Sequence, residues 1–236
     1  MEEDRRLRLL RQVIGQARGE PVTLTHVGAA TISAAGVDAA TVTARLEGTQ
    51  RETVYASSQL AMDMEELTVT LGEGPGVDAF PEGPSLAADL AADSCHSRWP
   101  AYAPAAVTAG VRAFFALPLR LGGAGVGIMC LYRAAPGPLS REQLADALVL
   151  ADTVLALLLD KGLSEQPLTS GRWSEESGPQ HSEVHQATGM ITVQLGVSAA
   201  VALVRLRAYA FAHDRRLSDV AKDVVARRLH FGRSAS

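Results

Sequence analysis

Between Lys161 and Gln180 the chain nearly stops supplying apolar side chains. The stretch KGLSEQPLTSGRWSEESGPQ offers Leu163, Leu168 and Trp173 amid Gly, Pro, Ser and Glu. A segment of this kind buries too little surface to offset the entropy of ordering it. It therefore reads as a linker, and it forces two cores rather than one. The two sides also differ in charge. Residues 1–180 carry fourteen Lys and Arg against twenty-two Asp and Glu, a balance of −8. Residues 181–236 carry eight against four, a balance of +4, which recovers the net −4 of the chain. A small basic module behind a larger acidic one fits a sensor that governs a nucleic-acid contact.

The 236 residues suffice for one large domain or two small ones, and a hydrophobic share of 47% with 20% charged residues is that of an ordinary globular protein. The opening MEEDRRLRLLRQVIG is charged from its second residue and lacks the apolar core of a signal peptide. The greasiest run, Leu144 to Leu159, is interrupted by Asp146 and Asp152 and is too short to span a bilayer, so no membrane partner is expected. Cys95 and Cys130 are the only cysteines and lie far apart. That argues against a disulfide framework or a cysteine metal site, and makes reduced cytoplasm the expected setting.

The acidic part reads as α+β. Residues 1–18 place Leu7, Leu10 and Ile14 on one helical stripe, for docking or dimerisation unless the segment is a solvated tail. A helix is expected over 22–35. TVTARL (41–46) and ETVYAS (52–57) alternate as an antiparallel hairpin with one buried face. Ser58 is placed to cap a helix that stops at Gly72-Glu73-Gly74-Pro75-Gly76. A short strand near Ser85–Leu90 precedes a helix over Trp99–Ala109. AFFALPLRL (113–121) and VGIMCLYR (126–133) form a second hairpin. Ser140 caps a long helix over 141–160, apolar around most of its girth, as expected of a helix packed on both its own sheet and a second subunit.

The basic part reads as three short helices. The first, about 181–195, turns Val184, Ala187, Ile191 and Leu195 inward, and Gly196 suits a left-handed end. Ser198 caps the second, with Ala202, Leu203, Leu206 and Ala210 as its stripe and Phe211 as a further candidate for it. The third, 217–230, buries Val220, Ala221, Val224 and Val225. The basic residues Arg205, Arg207, Arg215, Arg216, Lys222, Arg227, Arg228 and Arg233 either form a phosphate-binding surface or are simply solvated. Charge and spacing do not separate RNA from DNA, and a helix–turn–helix made of the last two helices stays open.

Other motifs carry less. Gly72–Gly76 lacks the Lys-Ser/Thr of a P-loop and reads as a tight turn; Gly122–Gly127 reads as a hairpin turn. Asp93, Cys95, His96 and Arg98 form a reactive cluster with no orienting third group, which favours a pocket-rim loop over a nucleophile pair. His181 and His185 have metal-chelating spacing but no further ligand set. Phe114, Phe115 and Met129 are candidates to line a ligand pocket on the sheet, or ordinary core. No catalytic residue and no metal ligand is assigned, so the chain reads as a non-enzyme whose cofactor, if any, is unknown.

QATGMITVQLGVS, ALVRLRAYAF and RRLSDVAKDVV together resemble the ANTAR domain of bacterial transcription antiterminators, at Ala187, Gly189, Gly196, Leu206, Arg207, Ala210, Arg215, Leu217, Val220 and Ala221. The resemblance implies a three-helix domain that binds paired RNA stem-loops in nascent transcripts as a dimer and prevents a terminator from forming. The Lys common in the family between the Ala and Gly of its first helix is Thr188 here, so the implied RNA contacts fall on Arg207, Arg215, Arg216 and Lys222. The segments EGTQRETVYAS, ELTVTLGEGPGVDAF, RWPAYAPAA, AFFALPLRLGGAGVGIMCLYR and PGPLSREQLADAL are similar in order to GAF sensor domains. That resemblance implies an antiparallel sheet flanked by helices, which either holds a small molecule that stays unidentified or serves only as a dimerisation module; the homodimer is implied by the ANTAR likeness as well. The expected layout is an N-terminal helix (1–19), a GAF-like domain (20–160), the linker (161–180), an ANTAR-like domain (181–231) and a tail (232–236). The rival expectations are a DNA-binding regulator, and a ligand-binding dimer whose helical module makes protein contacts only.

Overall fold

The computed structural model describes residues 2–45, 51–163, 182–213 and 215–232. Its elements in chain order are α1 (Glu2–Ala17), α2 (Leu24–Ala35), β1 (Ala39–Arg45), β2 (Arg51–Ala56), α3 (Gln59–Leu71), α4 (Pro75–Glu82), β3 (Ser85–Ala87), α5 (Asp93–Arg98), α6 (Tyr102–Thr108), β4 (Ala113–Leu121), β5 (Ala124–Arg133), α7 (Arg141–Leu163), α8 (Ser182–Leu195), α9 (Ala199–Ala212) and α10 (Leu217–Val225). They form two compact units, Met1–Glu65 with Glu73–Gly178, and Glu66–Gly72 with Pro179–Ser236. The boundary thus falls inside α3. Residues 164–180 of the expected linker lie outside the described residues, while 161–163 complete α7.

The first unit is built on a five-stranded antiparallel sheet in the order β2-β1-β5-β4-β3. Alternation along the strands gives each face its own chemistry. On one face Val42, Phe115, Leu117, Met129 and Leu131 are buried in a single apolar cluster with Leu9 and Val13 of α1, Val27 and Ala30 of α2, and Leu150 and Val154 of α7. The other face carries Thr41, Thr43, Phe114, Cys130 and Tyr132, also buried. Both expected caps form: the Ala61 N–H donates to Ser58 Oγ at 3.3 Å, and the Gln143 N–H to Ser140 Oγ at 3.1 Å.

Three expectations for the first unit are corrected. Gly72–Gly76 does end α3, but the same residues open α4 instead of making a tight turn. Gly74 sits at φ 125, a conformation closed to other residues, and Pro75 takes the first helical position, where its missing N–H costs nothing. Asp93–Arg98 is a helix, not a loop, and the next helix begins at Tyr102, two residues beyond Pro100.

The long α7 is tied to α1 by charge. Asp146 is buried on α7, and Arg8 donates to both its carboxylate oxygens at 2.8 Å, with Arg5 Nε 3.0 Å away. Asp146→Ala leaves these part-exposed guanidiniums without their buried anion. It is expected to lower stability by about 1–3 kcal/mol, the discounted value for a pair whose arginines stay part-exposed, and to speed amide exchange in α1. Unchanged exchange there would show that apolar packing alone holds α1.

The second unit closes on Val184, Ala187, Ile191 and Leu195 of α8, Ala202, Leu206 and Ala210 of α9, and Leu217, Val220, Ala221 and Val224 of α10. Nearly all of these are residues whose spacing predicts an inward face; Phe211, the further candidate on α9, instead lies on the outside at 66% exposure. Gly196 ends α8 at φ 66, its N–H donating to the Thr192 carbonyl at 2.9 Å. The Val201 N–H donates to Ser198 Oγ at 3.4 Å at the start of α9. The third helix is shorter than expected. It stops at Val225, because Arg227 turns left-handed at φ 57 and the Arg228 and Leu229 N–H groups fold back onto the Asp223 carbonyl.

Candidate nucleic-acid interface

The four basic residues singled out by sequence lie in different settings. Arg207, on α9, is half-buried and its Nε donates to the Val69 carbonyl at 2.9 Å. Arg215 and Arg216 stand in the turn before α10 and are exposed; Arg216 occupies the N-cap position. Lys222 is exposed further along the same helix. Arg207 and the beginning of α10 share one neighbour, since the Leu217 N–H donates to Thr70 Oγ1 at 3.3 Å and the Ser218 N–H to Glu66 Oε1 at 3.0 Å. Arg207, Arg215 and Arg216 are therefore gathered around the α9–α10 turn, with Lys222 at a distance along α10.

Arg215 is already engaged. Its guanidinium donates to Asp223 Oδ2 at 2.7 Å, and Arg228 holds Oδ1 of the same carboxylate at 2.8 Å. The hydrogen bond from Arg215, then that from Arg228, keeps Asp223 below the usual carboxylate range. Sequence reasoning does not single out the acid at 223. Its spacing from Arg215 and Arg228 becomes meaningful only once the chain turns after Val225. Thr188, the residue in place of the family's Lys, is buried and donates from Oγ1 to the Val184 carbonyl at 2.6 Å. It offers a ligand little surface.

In the first unit the three pocket candidates separate. Phe114 lies on the polar face of the sheet, its ring 4.8 Å from that of Tyr132 and 6.0 Å from that of Tyr102. Phe115 and Met129 belong to the opposite, helix-packed cluster. Phe114 and Phe115 are adjacent in a strand and must point opposite ways, so the three cannot line one pocket.

Sequence reasoning passes over the polar interior beside Phe114. Thr43 Oγ1 donates to Glu65 Oε1 at 3.0 Å, Thr41 Oγ1 lies 3.5 Å from Glu65 Oε2, and Thr41 Oγ1 is 3.2 Å from the Tyr132 hydroxyl. All four residues are buried, and burial, with smaller contributions from Cys130 and Glu65, pushes the Tyr132 hydroxyl well above its ordinary range. The signal in the chain is the pair of threonines two apart in β1, which share a face and suit a strand interior.

The Asp93–Arg98 cluster does not favour a thiolate at Cys95. Burial raises the Cys95 thiol, and Arg98 is held by Asp78 and Glu82, each at 2.7 Å. Among the described residues no group of His, Cys, Asp and Glu could hold a metal; His181 lies outside them. No single helix among the described residues is long and apolar enough to cross a membrane.

Comparison with known proteins identifies the class. Residues 22–158 match the GAF domain, and residues 180–225 match the ANTAR domain. The chain belongs to the GAF domain family, and its GAF domain followed by an ANTAR domain is the architecture of the GAF–ANTAR antiterminators. No curated protein matches the chain. Similar solved structures include the GAF domain of an Acinetobacter phosphoenolpyruvate-protein phosphotransferase, at 13% identity over 70% of this chain and 97% of that one, with a TM-score of 0.49. The GAF domain of the Coxiella burnetii phosphoenolpyruvate-protein phosphotransferase is similar at 18% identity over 68% and 96%, with a TM-score of 0.48. A domain of a two-component sensor histidine kinase protein from Sinorhizobium meliloti 1021 is similar at 17% identity over 59% and 93%, with a TM-score of 0.46.

Proposed function

We propose that the chain is a cytoplasmic, non-enzymatic, homodimeric transcription antiterminator. The helical unit binds RNA stem-loops in nascent transcripts, and the sheet unit senses a small molecule. The observation that carries this reading is the ANTAR match over 180–225, falling on a three-helix unit whose exposed turn holds Arg215 and Arg216 next to Arg207. Arginine suits RNA because its planar fork both pairs with phosphate and stacks on splayed loop bases. A dimer is supported by α1 and α7, which leave Leu7, Ile14 and Leu148 at 48%, 60% and 44% exposure. A small molecule that favours one dimer geometry would change how often two RNA-binding units are correctly spaced. The polar interior at Thr41, Thr43, Glu65 and Tyr132 is where such a molecule would find hydrogen-bonding groups.

The test is binding to a paired stem-loop RNA with duplex DNA of equal length as competitor, at two salt concentrations. RNA is expected to win. Arg207→Ala with Arg215→Ala is expected to weaken it at least about thirtyfold, taking about 1–3 kcal/mol for each lost contact. Equal, weak binding of both nucleic acids with a steep loss in salt would reduce the basic face to a nonspecific patch. A preference for duplex DNA would favour a DNA-binding regulator.

A further inference from the structure

The helical unit is not complete with its own three helices. Its remaining member is the tail of α3, Glu66–Gly72. Helix α10 needs acceptors for its first N–H groups, and the residue at its N-cap is Arg216, whose side chain accepts nothing. Thr70 and Glu66 supply those acceptors instead, to Leu217 at 3.3 Å and Ser218 at 3.0 Å. The Glu66 carboxylate also carries the charge that a helix start favours. Val69 packs against the apolar cluster while its carbonyl takes Arg207 Nε at 2.9 Å. The Arg207 guanidinium lies so close to Gly72 that a Cβ there would meet its Cζ at 2.8 Å. One short segment thus presents a carboxylate, a hydroxyl and a carbonyl to an arginine and a helix start. RNA presents the same kind of group, acceptors on phosphates and base edges, to such a surface.

We propose that Glu66–Gly72 is an internal stopper of the basic surface, so that the segment and RNA compete for Arg207 and the start of α10. The proposal rests on the RNA-binding reading above. The hold includes three hydrogen bonds and the packing of one partly buried valine, each a small net contribution. A modest shift of population therefore suffices to release it.

The test uses the full chain and a synthetic paired stem-loop RNA. Affinity is measured for the unaltered protein and for Glu66→Ala with Thr70→Val, alongside amide exchange at Leu217 and Ser218. The double variant is expected to bind about tenfold more tightly, the gain from freeing a surface that is open about a tenth of the time, and to exchange both amides faster. If the unaltered protein binds RNA and the variant binds it equally or less well with α10 intact, the stopper is overturned and the RNA reading survives. If neither binds RNA, both fall together. Should the double variant lose α10, Thr70→Val alone decides, because it removes one acceptor of the segment and keeps the Glu66 carboxylate on the Ser218 N–H. A gain in affinity then supports the stopper, and an unchanged or lower affinity overturns it.

Discussion

Leu206→Ala is expected to unfold the helical unit while the sheet unit keeps its own transition. Leu206 has no exposed surface and sits with Ala202 and Ala210 of α9 against residues of α8 and α10. Truncating a buried leucine costs about 2–5 kcal/mol, part lost transfer energy and part cavity. A unit of this size has little stability to lose, because small domains bury a smaller share of their surface. Calorimetry of the full chain should resolve the loss as one transition moved or abolished, with helical signal falling accordingly. RNA binding would then be lost for want of a folded surface. Arg207→Ala should differ, weakening RNA while leaving helix content in place. A melting profile matching that of the unaltered protein would mean that the cluster around Leu206 re-forms without it.

Phe114→Ala is the second large effect, and it separates the two faces of the sheet. The ring is fully buried between Tyr102 and Tyr132. Removing it costs about 3–5 kcal/mol and leaves a void on the face that carries the polar cluster. For a unit of this size that corresponds to a drop of about 6–20 °C in its melting temperature. The void has an aromatic and apolar edge, so a small aromatic added in excess should recover part of the loss. Phe115→Ala, on the opposite face, opens its space among α1, α2 and α7 and should not respond to the same additive. Equal recovery in both variants would defeat the assignment of separate environments to the two faces.

The outline of the fold was legible where periodicity carries it. The inward stripe of α8, α9 and α10 derives from 3.6-residue spacing, and four of the five strands from alternation and turns. The end of α3 at Gly72 was legible too, but not the start of α4. Breaker residues mark a boundary without specifying the element beyond it, and Pro75 is as apt to begin a helix as to make a turn. The site was legible as a set of residue types and not as a set of neighbours. Phe114, Phe115 and Met129 look like one lining on paper, and the strand pleat divides them. Arg215 reads as a free cation until the chain reverses after Val225 and sets Arg215 and Arg228 around the one carboxylate of Asp223. The capping of α10 by Glu66 and Thr70 joins residues about 150 positions apart, which no local pattern records.

The alanines at 187, 202, 210 and 221 have no exposed surface at all. Larger side chains there would press the helices apart, and smaller ones would leave gaps. A single larger side chain at any of these positions is therefore costly, typically about 1–3 kcal/mol, because it has to be met by shifts in the helices packed against it. Drift in this part of the protein has to run over its outside, through positions such as Val193, Val204 and Phe211, which are 83%, 61% and 66% exposed. New contacts can be built on that outside while the small residues that set the helix spacing stay as they are.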